Sequence, residues 1–260
     1  LYSSAASDVY KRQVYTQCFL TENDRGLGDT GNDFEKYSIA GVEYIIIAVD
    51  ISSQIEIVEA NTLTSVAQIP LFDGANAREP RRIEVCGTKA FVCNFDGTVS
   101  VIDLISKSLV NTITVGANPD GMVQVGNKLF VSNSGGLNYP VYDSTIVVID
   151  MDSQIAIDTF ETRINSTQMI VDSQNEIYLL SNGNYGSINP ALIRIDANTH
   201  TILNESEWPI TTMTKVGDWL YYYDSVLQAI RRYNMLTESF DNFDIINCAS
   251  YDTFSGFEYN

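Results

Sequence analysis

The side chains that could do chemistry in this sequence are few and poorly grouped. The single imidazole, His200, falls in a turn after Asp196, and no Ser, Cys or Lys stands beside a base in the pattern. Histidine-based triads and histidine-rich metal sites are therefore excluded. Cys18, Cys86, Cys93 and Cys248 lack the C-x-x-C spacing of zinc sites and the density of a disulfide scaffold, so they read as packing residues. Gly26-Leu27-Gly28-Asp29-Thr30-Gly31 matches the dinucleotide fingerprint, with Asp50 downstream. That fingerprint needs a helix after its glycines, and the residues that follow run into an apolar strand at 44–49, so the match is coincidental.

Carboxylates are plentiful. The 33 acidic residues against 15 basic ones leave a net charge of −18, which repels phosphate backbones and argues against nucleic-acid binding. One acid or amide recurs in register: IEIVEANT with Glu59, VSVIDLIS with Asp103, IVVIDMDS with Asp150, LIRIDANT with Asp196 and IRRYNMLT with Asn234. The interval is roughly 45 residues, the length of a four-stranded propeller blade. Each copy ends an apolar strand and precedes a short connection, where Asp and Asn accept hydrogen bonds from the turn's own backbone. The recurrent acid is thus read as a turn residue, not a catalyst or metal ligand.

The elements around these anchors repeat as well. In the second full unit the expected strands are 80–85, 90–94, 98–102 and 109–115, and in the third 119–125, 129–133, 145–149 and 155–160. Alternation has period two and helical periodicity is absent. The sequence predicts an all-β propeller of four-stranded antiparallel blades, with about five complete blades over 30–250 of an expected seven. Residues 1–13 resemble a translated linker remnant and are set aside. Residues 14–29 are expected as the tail of a preceding blade and 251–260 as the start of a following one. No apolar run is long enough to span a membrane.

The segments PDGMVQVGNKLFVSNSGG and TVSVIDLISKSLVNTITVGANPDG resemble the YncE-like propeller family. RGLGDTGND, CNFDGTVSVID and VSNSGGLNYPVYDSTIVVID are similar to surface lipoprotein propellers of Bacteroidota, among them the cobalamin-capturing BtuG type. The resemblance implies a seven-bladed protein at the cell surface or outer membrane, held by an N-terminal lipid anchor, with a periplasmic location as the alternative. It also implies a corrinoid as ligand and a TonB-dependent transporter as partner. No cofactor is expected, and the chain is not expected to be an enzyme.

The ligand-binding surface is expected where second and third strands connect, because two neighbouring units carry insertions there. Those insertions, 135–142 (GGLNYPVY) and 183–188 (GNYGSI), are rich in Tyr, Asn and Gly. Tyr offers rigid amphipathic area and Asn offers donors and acceptors at little entropic cost. The candidate site is Tyr139, Tyr142, Tyr185, Asn133 and Asn182, with Arg81, Phe95, Asp96 and Asp120 expected at the same rim. No catalytic or metal residue is assigned. Two other functions stay open: a protein-interaction scaffold, and a lactonase-like propeller enzyme using carboxylates.

Overall fold

The computed structural model describes residues 17–241 in full, and the backbone of 6–8, 13–15 and 246–247. Cys248 and the segment 251–260, expected to open a further blade, lie outside the described residues. A hairpin of β1 (Ala6–Asp8) and β2 (Gln13–Tyr15) precedes the helix α1 (Cys18–Asn23). Five antiparallel sheets follow in chain order, and each meanders from its first strand to its last. The first comprises β3 (Gly31–Ile39), β4 (Val42–Val49), β5 (Gln54–Glu59) and β6 (Ser65–Pro70). A small hairpin, β7 (Phe72–Asp73) and β8 (Asn76–Ala77), leads to β9 (Pro80–Cys86), β10 (Lys89–Asn94), β11 (Thr98–Asp103) and β12 (Ser108–Thr114). The third sheet is β13 (Pro119–Val125), β14 (Lys128–Asn133), β15 (Thr145–Asp150) and β16 (Ile155–Glu161). The fourth is β17 (Ser166–Val171), β18 (Glu176–Ser181), β19 (Ala191–Asp196) and β20 (Thr201–Glu207). The last holds β21 (Ile210–Val216), β22 (Trp219–Asp224), β23 (Ala229–Asn234) and β24 (Ser239–Phe240), with β25 (Ile246–Asn247) also paired to β23. The expected all-β architecture of four-stranded blades is what the chain adopts.

Two compact units divide the chain, Leu1–Thr114 with two sheets and Val115–Asn260 with three. Within the second unit the reason for the apolar middle strands is visible. Successive side chains of a strand point to opposite faces, and in β18 the two faces meet different neighbours. Ile177 and Leu179 join a core with Phe130, Ile146 and Val148 of the third sheet, while Tyr178 and Leu180 join Met213, Leu220 and Tyr222 of the fifth. A strand buried on both faces has no polar face to spare. The fourth strands β16 and β20 are almost wholly exposed, and polar residues return there. In the first unit Ile46, Ile55 and Ile57 pack against Ile83, Val92 and Ile102 of the second sheet.

The recurrent anchor acts as a turn residue. Asp103 accepts from the Ser106 and Ile105 amides at 2.7 and 3.1 Å, Asp150 from Ser153 at 2.8 Å, Asp196 from Asn198 at 2.7 Å, and Asn234 from Thr237 at 2.9 Å. These bonds, with the Ser106 and Ser153 hydroxyls, hold the Asp103, Asp150 and Asp196 carboxyls below the ordinary range. Four residues past each anchor the backbone turns left-handed, at Leu63, Lys107, Gln154, His200 and Glu238.

Neighbouring first strands are stitched by side chains. The Ile83 and Val85 amides of β9 donate to Asp33 and Glu35 of β3 at 2.8 and 2.9 Å. In the second unit Gln168 of β17 accepts from the Met213 amide at 2.9 Å. Ahead of the first sheet, Phe19 and Leu27 cover Val49 and Val58. The buried carboxylate of Glu56 pairs there with Arg25 at 2.8 Å. Gly28 has φ 122°, and an added Cβ would lie 2.8 Å from Ser52 Oγ and 2.9 Å from Val49 Cγ1. The glycine run thus serves close packing, and no helix follows it.

Candidate functional site

The two insertions leave the same edge of adjacent sheets, and their bases are bolted down by backbone bonds. At each exit from a second strand an amide donates to the carbonyl that precedes the first strand: Ser134 to Asn118 at 3.1 Å, and Asn182 to Asn165 at 3.0 Å. Both acceptors, Asn118 and Asn165, are left-handed, a conformation that Asn tolerates better than most residues. The loop of 134–144 is tied further by Gly135 N to Ala117 O at 2.8 Å and Asp143 N to Ser134 O at 3.2 Å. Asp143 closes its base by accepting from the Thr145 and Ala117 amides at 2.8 and 3.0 Å. At Gly135, with φ 59°, a Cβ would meet Asp143 N at 2.3 Å, so the pinch requires glycine.

The second loop, 182–190, wraps around Asn184. Its side-chain oxygen accepts from the Gly186 and Ile188 amides at 3.0 and 2.8 Å. Asn165 Nδ2 donates to Gly183 O at 3.0 Å, and Arg163 donates to Asn189 O at 2.9 Å. Arg163 also pairs with Glu205 and Glu207 of β20. It is a positioning residue that sequence reasoning missed, because its partners are strands away and no motif marks them.

From these bases the tips project together. Tyr142 meets Tyr139 edge-to-face with ring centroids 6.3 Å apart, and meets Tyr185 of the other loop at 6.3 Å and 68°. Edge-to-face contact suits the ring quadrupoles. Burial, then the nearby Tyr185 and Tyr139 phenols, raises the Tyr142 phenol above its usual value. The outer two rings remain open, Tyr139 at 74% and Tyr185 at 76% exposure. Leu137 and Val141 on the first loop are 65% and 74% exposed, two apolar side chains absent from the sequence-based site. The Tyr139–Pro140 peptide is cis.

Other expected site residues are already engaged. Asn133 is fully buried, and its Nδ2 donates to Thr145 Oγ1 at 2.9 Å beneath Gly116. The last residue of β14 thus faces inward, and its Oδ1 is buried without a hydrogen-bond partner. Asn182 is half-buried with Nδ2 3.4 Å from Thr167 Oγ1, and Asp120 is half-buried near the start of β13. In the first unit Arg81 lies 4.4 Å from the Phe95 ring centroid and 3.7 Å from the Asp50 carboxylate. Asp96 pairs with Arg78 at 2.6 Å and accepts from the Thr98 amide at 3.1 Å. No disulfide links Cys18, Cys86 and Cys93 to one another. Among the described residues no group of three or more His, Cys, Asp or Glu is placed to hold a metal, and no helix is long and apolar enough to cross a membrane.

No protein-family model matches the chain, and no curated protein matches it in sequence. Solved structures match by shape. Hydrazine synthase of Kuenenia stuttgartiensis superposes with a TM-score of 0.69 at 17% identity, covering 85% of this chain and 68% of that one. A chain of the mitotic checkpoint complex gives 0.62 at 12% identity, covering 80% of this chain and 61% of that one. The computationally designed Ika8 protein gives 0.57 at 12%, covering 82% and 60%. Together with the five sheets, these likenesses define the class as a β-propeller-like repeat fold. Proteins so different share that fold that it assigns no activity.

Proposed function

We propose that this chain is a non-catalytic ligand-binding propeller whose second unit captures a small molecule on the tyrosine-bearing loops. The observation that carries the reading is the Tyr142–Tyr185 contact, which joins loops of two sheets into one aromatic surface. That surface suits a flat or ring-shaped ligand, which can stack on Tyr139 and Tyr185 while Asn138 and the phenols bond its rim. The motif resemblance described above makes a corrinoid the first ligand to test. It also supports a place on the cell surface beside a TonB-dependent transporter.

The test is a titration with cobalamin of the chain and of its Tyr139→Ala and Tyr185→Ala variants. Binding that weakens about tenfold or more in each variant supports the site. Affinity unchanged in both moves the site elsewhere, and no binding removes the corrinoid. A second reading, a docking surface for a protein, is favoured by the exposure of Leu137 and Val141 beside the tyrosines. Under that reading Leu137→Asp abolishes capture of the partner while leaving any small-molecule affinity in place.

A further inference from the structure

Away from the tyrosine loops, the second unit holds a nucleophile, a base and an acid in series. His200 lies in the left-handed turn between β19 and β20, with φ 57°. Its ring stacks on Phe160 at 5.4 Å and receives Phe130 edge-on at 5.5 Å. Nδ1 is 2.5 Å from Asp158 Oδ2, and Nε2 is 3.2 Å from Lys128 Nζ. The three residues come from β14, β16 and the turn of the next sheet, so no sequence pattern links them. The imidazole side chain is 14% exposed and the carboxylate 47%, with Lys128 half-buried.

The carboxylate at Nδ1 holds a proton there and turns the Nε2 lone pair toward the amine. Hydrogen bonding to His200 keeps the Asp158 carboxyl below its ordinary value, and hence ionised. A nucleophile within hydrogen-bond reach of a base that a third group orients is the arrangement of an activated attacking group. Sequence reasoning found no lysine beside a base. The fold supplies one.

We propose that Lys128 is a preferred site of acylation by acyl phosphates, with His200 as general base and Asp158 as its positioning residue. The ammonium first passes a proton through His200 Nε2 to solvent, and the resulting amine Nζ attacks the acyl carbonyl, forming the C–N bond and moving the π electrons onto oxygen. His200 Nε2 takes a proton from the cationic nitrogen of the adduct. The tetrahedral species then collapses, the C–O bond to phosphate breaks, and phosphate leaves with the electron pair. The imidazolium returns its proton to solvent. The product is an uncharged amide, so the reaction also removes the ammonium that now contacts His200.

The experiment exposes the full chain to acetyl phosphate and measures initial acetylation of each lysine by mass spectrometry. Lys36, exposed and paired with Glu43 at 2.6 Å, is the internal reference. Lys128 is expected to react about tenfold faster than Lys36 or more. In His200→Asn, which tolerates the left-handed turn and can still donate to Asp158, the ratio should fall to about one, with Lys36 unchanged. Asp158→Asn leaves the imidazole in place and should lower the ratio part way, which provides the comparison if the first variant folds poorly. A Lys128 rate no greater than that of Lys36, or a ratio indifferent to His200→Asn, would overturn the proposal.

Discussion

Replacing Glu35 by Gln should stabilise the first unit at alkaline pH and leave it nearly unchanged at acid pH. Glu35 is on β3, and its Oε2 accepts the Val85 amide of β9 at 2.9 Å. Burial raises its pKa from 4.5 to about 7, against the Val85 hydrogen bond that lowers it, with the neighbouring Asp33 adding to the rise. Beside it, burial also pushes the Cys86 thiol up to about 12, with Glu84 and Glu35 contributing. A carboxyl raised in the folded state binds a proton that the unfolded chain has already lost. Its contribution is therefore fully present below the unfolded value and disappears as the pH rises through about 7. The full shift corresponds to about 3 kcal/mol, and screening at this incompletely buried group brings the expected effect to about 1–2 kcal/mol. Gln keeps a carbonyl for the Val85 amide and carries no charge to desolvate. Urea unfolding of both proteins at about pH 4 and about pH 8 measures the difference. A variant that is equally shifted at both pH values, or less stable than the parent at the higher one, would refute the reasoning.

Two further substitutions probe other supports. Arg25→Ala strands the Glu56 carboxylate, which is fully buried and otherwise bonded by Ser65, and should cost about 3 kcal/mol in denaturant unfolding; a loss below about 0.5 kcal/mol would mean that the ion pair is dispensable. Gly183→Ala places a Cβ 2.0 Å from Ile188 O at a residue with φ 63°, so the loop must rearrange; limited proteolysis should cut within 182–190 in the variant before it cuts the parent, and identical digestion patterns would count against a rigid loop.

Much of the architecture was legible because it is written in short-range patterns. Strand alternation and the anchors at Glu59, Asp103, Asp150, Asp196 and Asn234 are local, and the side-chain turn bonds of the last four reach only two or three residues. Loop lengths are local too, so the insertions that carry Tyr139, Tyr142 and Tyr185 could be located from the sequence. Helix α1 was not foreseen. Six residues are too few for a helical period to show, and packing of Phe19 on the first sheet sustains them.

What remained hidden depends on which residues the folded chain brings together. Asn133 ends a strand beside a promising loop, and its sequence position does not say which face it takes; the structure turns it inward to Thr145. The meeting of Tyr142 with Tyr185, the grip of Arg163 on Glu205 and Glu207, and the approach of Lys128 to His200 across 72 residues all join different strands or sheets. A period-two pattern specifies that a side chain points off a sheet, and only the packing of that sheet on its neighbour decides what it meets. The sequence by itself thus determined the blades and the length of their loops, while the tertiary structure decided which tyrosines share a surface and which lysine stands beside the one imidazole.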